Sequence, residues 1–111
     1  MADHGAFERL ASRLLAATQQ GKVQWSETAD EDMFRSTFKE AAVRIARIFD
    51  DQNPREDAYY KIFLLNKSGR IADESPAEGD GGDLERLFDE ARRSARDSTS
   101  VIESILAELG R

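Results

Sequence analysis

The side chains that ordinarily carry chemistry are scarce in this chain. His4 is the only histidine among 111 residues, and there is no cysteine. One imidazole and no thiolate cannot furnish a zinc site, and nothing near His4 in the sequence completes a Ser-His-Asp relay. Disulfides and a cysteine nucleophile are excluded outright. His4 is therefore expected on the surface or as a cap in the first turn of a helix. Carboxylates are plentiful: Asp50 and Asp51 are adjacent, and Asp80 and Asp83 flank two glycines. A calcium loop needs oxygens at alternating positions and a closing glutamate, and Asp-Gly-Gly-Asp lacks that spacing. Glycoside chemistry by two carboxylates would need them paired across a cleft; a small hydrolase of that kind is the third functional reading. "EGDGGDLE" places glycines before a helix start, where phosphates bind. There Glu78, Asp80 and Asp83 would repel a phosphate, and no Gly-Lys-Ser/Thr follows. No catalytic residue, metal ligand or cofactor is assigned, and the chain is expected to be non-enzymatic.

A second set of residues is better placed for recognition than for catalysis. "AYYKIFLLN" (58–66) is rich in aromatic residues and isoleucine and reads as a strand. It needs paired neighbours, because an isolated hairpin is marginal. "MFRSTFKEAAVRIARIF" (33–49) supplies them if it forms two strands; one amphipathic helix is the alternative. Two strands would put Phe34, Phe38, Val43, Ile45, Tyr60, Ile62 and Leu64 on one face, packed on helices. The other face would carry Arg35, Thr37, Lys39, Arg44, Ala46, Tyr59, Lys61, Phe63 and Leu65. An exposed antiparallel face should be mostly polar, whereas arginine beside aromatic residues is typical of contact surfaces. Arg35, Arg44, Tyr59, Lys61 and Phe63 are accordingly the candidate partner-binding residues. Three fates compete for this face: cover by a helix, contact with another protein or a second copy, or base stacking of the kind seen in sheet-based RNA binders.

The elements around these residues follow from periodicity. Residues 4–19 carry Phe7, Leu10, Ala11, Leu14, Leu15 and Thr18 on one helical stripe, with Asp3 as cap and Gly21 as stop. Val23 and Trp25 alternate with Lys22 and Gln24 as a short strand, and "SETADED" (26–32) reads as a solvated loop. "NKSG" (66–69) is a turn in which Gly69 supplies positive φ. Residues 70–73 return as a strand, and 74–83, with Pro76 and three glycines, form a flexible loop. Asp83 caps a helix whose stripe is Leu84, Leu87, Phe88, Ala91 and Ala95. Asp97 or Ser98 breaks it. A last helix carries Val101, Ile102, Ile105, Leu106 and Leu109, with a Ser100–Glu103 capping box. Arg92, Arg93 and Arg96 suit a helix C-terminus. Trp25 is either an anchor at the junction of helix and sheet or a contact residue. An anchor would need a partner for its indole N–H.

The order is helix, three to five strands, helix, helix. It implies one α+β domain over 1–111, with an antiparallel sheet on which one N-terminal and two C-terminal helices pack. "GKVQW" after a helix, the "YYKIFLLNKSGRIAD" hairpin and "LERLFDEARRSA" resemble small bacterial α+β domains that combine a helix, a Gly-Lys-apolar-x-Trp strand, an aromatic hairpin and two C-terminal helices. The resemblance favours the two-strand reading of 33–49 and implies no activity. A net charge of −6 and a pI near 4.8 oppose nucleic-acid binding, which rests on phosphate neutralisation. No basic n-region precedes an apolar run, and no apolar stretch approaches a membrane span. The expected setting is a bacterial cytoplasm. The expected function is protein binding, as an accessory, inhibitor, immunity-type or assembly protein; regulation through nucleic acid is the alternative.

Overall fold

Alternation over 33–49 does resolve into two strands. A computed structural model describes residues 4–49, 58–96 and 98–110. Along the chain lie α1 (His4–Gln19), β1 (Ser26–Glu27), β2 (Met33–Thr37), β3 (Ala42–Ile48), β4 (Tyr59–Leu65), β5 (Ile71–Glu74), α2 (Asp83–Arg96) and α3 (Ser98–Glu108). The strands form one open sheet in the order β1-β2-β3-β4-β5, every neighbouring pair antiparallel. The expected roles of Asp3, Asp50, Asp51 and Asp97 lie outside the described residues, as do the side chains of His4 and Ser100. Among the described residues no helix is long and apolar enough to cross a membrane.

The core is the one the periodicities of α1, α2 and β2–β4 require, but the last helix does not pack on the sheet as expected: Val101, Ile102, Ile105, Leu106 and Leu109 of α3 stay exposed, because α2 already occupies the apolar face. Phe34, Val43 and Ile45 from β2 and β3, and Tyr60 and Ile62 from β4, meet Leu84, Leu87, Phe88 and Ala91 of α2. Ala11 and Leu14 of α1 complete the cluster, with Leu10, Leu15, Val23, Leu64 and Ala95 packed at its edge. Phe88 is central: its ring centroid lies 5.4 Å from that of Phe34 and 5.7 Å from that of Tyr60, both tilted. Helix α1 ends as its sequence indicates. Gly21 takes φ 75°, and the Lys22 amide donates to the Ala17 carbonyl at 2.9 Å.

Three local expectations are corrected. Phe38 does not join the core face. It lies in the β2–β3 turn, 41 % exposed, because Phe38 N–H closes that turn onto the Ala41 carbonyl. The first strand is not 22–25 but Ser26–Glu27, inside the segment read as loop. The Trp25 amide is drawn to Ser94 Oγ of α2 (3.0 Å) rather than to a strand partner, so pairing with β2 begins one residue later. Past β5, the chain at 75–78 stays on β4: Ser75 N–H donates to the Ile62 carbonyl, and Tyr60 and Glu78 exchange backbone hydrogen bonds. Pro76 sits comfortably on such an edge. Glu78 then accepts the Leu84 amide at the start of α2 (3.1 Å). A Cβ on Gly82 would meet that carboxylate, so a larger residue there would push the Glu78 side chain off the Leu84 amide.

Candidate partner-binding face

The sheet has two faces, and the helices take only one. Helix α2 packs on the side that bears Phe34, Ile45 and Ile62, and α1 packs along α2. The register assembles the other side in cross-strand rows. Ser26, Arg35, Arg44, Phe63 and Glu74 form one row across all five strands; Met33, Ala46 and Lys61 form the next; Ile48 stands opposite Tyr59. Arg35, Arg44, Tyr59, Lys61 and Phe63 are thus gathered on one surface. Each is half-buried, and none lies beneath a helix among the described residues. The small Ala42 and Ala46 between the long side chains are buried. Leu65 is buried as well, beside a register shift between Leu64 and Leu65, and Lys39 is exposed in the β2–β3 turn.

Charge distinguishes these residues. Lys61 Nζ meets Glu74 Oε1 at 3.1 Å. Arg35 and Arg44 stand directly opposite one another, an arrangement that ordinarily opposes pairing. Neither side chain has an ion pair or hydrogen bond among the described residues, and both Nε atoms are buried with no acceptor there. The arginines at the end of α2 are engaged. Arg92 pairs with Asp89 at 3.3 Å, Arg93 with Glu90 at 3.2 Å, and Arg96 reaches Glu27 at 3.8 Å. The helix-terminal arginines of "ARRSAR" are thus spent locally. Arg35 and Arg44 hold unmet donors beside an aromatic ring.

Arg47 was missed by the sequence reading, although its phase with Val43 and Ile45 assigns it to the helix side. It donates to Asp32 Oδ1 through Nη2 (2.7 Å) and Nε (3.2 Å), and its guanidinium lies 4.8 Å from the Phe88 ring centre. Burial works against its charge, but the hydrogen bond and the field of Asp32 outweigh that and raise its pKa. Tyr60 beside it is also pushed up, first by burial, then by the Glu85 and Asp80 carboxylates, with Arg47 pulling the other way. The fold therefore favours the neutral phenol. Its contribution is complete below the ordinary tyrosine value of about 10 and is lost as pH rises through the higher folded value. Urea midpoints of the wild type should fall across this alkaline range more steeply than those of Tyr60→Phe. Parallel curves would show that Tyr60 does not supply the linkage.

Trp25 is an anchor. It is buried, and its Nε1–H donates to Thr18 Oγ1 at 3.0 Å; Thr18 in turn donates to the Leu14 carbonyl at 2.6 Å. One side chain thus ties α1 to the strand entry, while its backbone amide ties the same point to α2.

Elsewhere the chemistry is thin. A groove of about 430 Å³ runs between α1 and the 75–84 segment, floored by Phe7, Ala11 and Ile62, with Glu8, Glu78 and Asp83 in its wall. Glu78 is committed to the Leu84 amide, and Glu8 has a partner of its own. No cluster of three or more metal-ligating side chains occurs among the described residues. No protein-family model, curated protein or solved structure matches the chain.

Proposed function

We propose that this chain is a non-enzymatic protein-binding module that engages its partner through the open sheet face. An accessory, inhibitor, immunity-type or assembly role in a bacterium or phage fits this reading. The observation that carries it is the row Arg35–Arg44–Phe63: two arginines with no carboxylate partner among the described residues, half-buried beside an aromatic ring on a face that no described helix covers. Desolvated arginine and aromatic side chains of this kind are where binding energy concentrates. Tyr59, Ile48 and Met33 extend the patch, and Lys61, already paired with Glu74, belongs to its polar surround.

The test compares partners cross-linked to the wild type with those cross-linked to Tyr59→Ala, Phe63→Ala and Arg44→Ala, with Arg86→Ala on the exposed side of α2 as control. Each sheet-face change should weaken a defined complex by about 1–4 kcal/mol, while Arg86→Ala leaves it intact. Unchanged affinities in all three sheet variants would refute the surface. The same arginines beside Phe63 and Tyr59 also suit stacking on single-stranded nucleic acid, the second reading. A steep fall of oligonucleotide affinity with salt would favour it over protein binding.

A further inference from the structure

A second unpartnered surface lies at the C-terminal end of the chain. Val101, Ile102, Ile105, Leu106 and Leu109 are each more than half exposed, at 51–74 %. At about 100° per residue these five fall within an arc of about 140° on the helix. Glu108 borders one side of the arc and Glu103 the other, and they are the only charges between Ser98 and Gly110. Helix α3 is therefore an apolar ridge flanked by acid, projecting from the rest of the domain. An exposed ridge of this kind is built to be covered.

From these two surfaces we infer that the occupant of the open sheet face is α3 of a second copy, in a reciprocal dimer with two α3-on-sheet contacts. The inference rests on the reading of that face as a protein contact. Chemistry and size both match. The ridge brings aliphatic side chains and two carboxylates. The sheet brings Met33, Ile48, Tyr59 and Phe63, with the two arginines whose buried Nε atoms lack an acceptor among the described residues. A helix of 11 residues is about 16 Å long, and five strands at about 4.8 Å spacing give a sheet wide enough to seat it. Reaching its own sheet face would require α3 to round the β1 edge. Helix α2 lies on the opposite face and ends beside that edge, with Arg96 near Glu27, and Asp97 alone joins it to α3. Pairing of α3 with α3 would bury the same ridge but bring glutamates together with no base in either helix. The sheet face supplies the complementary charge that a second α3 lacks, and mutual exchange of one element gives the closed two-fold arrangement common among homodimers.

The experiment is light scattering after size exclusion over a range of concentrations, on the whole chain. The wild type should run at twice 12.5 kDa. Ile105→Glu spoils the ridge without touching the core, and Arg44→Glu spoils the face while removing a like-charge pair; each should be monomeric. An equimolar mixture of the two retains one intact contact, the α3 of the Arg44→Glu copy on the sheet of the Ile105→Glu copy, and should recover a dimer. A wild type that stays monomeric, a dimer that ignores Arg44→Glu, or a mixture that stays monomeric overturns the inference. A monomer whose foreign complex is still lost in Phe63→Ala would remove the second copy as occupant and leave the face as a contact surface. Indifference to both Arg44→Glu and Phe63→Ala would remove both.

Discussion

Phe88→Ala should lower the unfolding free energy by about 3–5 kcal/mol, the cost of emptying a large aromatic site in a well-packed core. Phe88 is fully buried and touches each layer that matters: Phe34 on β2, Tyr60 on β4, and the Arg47 guanidinium that Asp32 holds over its ring. Removing the ring leaves a void between α2 and the sheet and takes the apolar support from beneath a half-buried cation. Domains of this size are stable by only about 5–15 kcal/mol, so the variant should lose about a fifth or more of its margin. Urea denaturation reads this directly. At a slope of about 1–3 kcal/mol per molar, the midpoint should drop by roughly 2 M. Phe88→Leu keeps most of the volume and should cost far less. Equal losses in the two variants would mean that the aromatic contacts, and not the void, dominate.

Trp25→Ala should cost a similar amount, about 3–5 kcal/mol, for a different reason. The indole fills the junction where α1, α2 and the entry to β1 meet, and its N–H is satisfied by Thr18. Trp25→Phe keeps most of the packing but removes the donor, so it should cost about 1 kcal/mol. Thr18→Val, which strands the indole N–H, should cost at least as much as Trp25→Phe. The native fluorescence of this single tryptophan should be blue-shifted and should move red on unfolding. Were Trp25 a partner contact instead, Trp25→Phe would weaken a complex and leave the urea midpoint in place.

Neither residue's role was equally visible beforehand. The Phe88 stripe follows from helical spacing alone, since Leu84, Leu87, Phe88 and Ala91 recur at three and four residues and all four are buried. Trp25 left two readings open, because an isolated aromatic after a glycine carries no period. Thr18 and Ser94, which decide its fate, are 7 and 69 residues away. The candidate face was legible in its membership, because strands alternate strictly with period two. Once 33–49 is paired as β2 and β3, Arg35, Arg44, Tyr59, Lys61 and Phe63 must fall on one side.

The sequence by itself determined what depends on local periodicity: two amphipathic helices, a strand over 58–66, the Gly21 and Gly69 reversals, and, once 33–49 pairs as two strands rather than one helix, the division of the sheet into apolar and mixed faces. Tertiary structure decided what depends on register and neighbours. Whether Phe38 turned inward was a matter of where the β2–β3 turn closed. Whether an arginine was spent or spare was a matter of which carboxylate lay opposite, so that Lys61 and Arg47 found Glu74 and Asp32 while Arg35 and Arg44 met each other. Whether the last helix joined the core was settled by α2, which already occupies the apolar face of the sheet and leaves the ridge of α3 uncovered. Period fixes which side of an element a residue occupies; only the assembled chain fixes what stands on the other side of the contact.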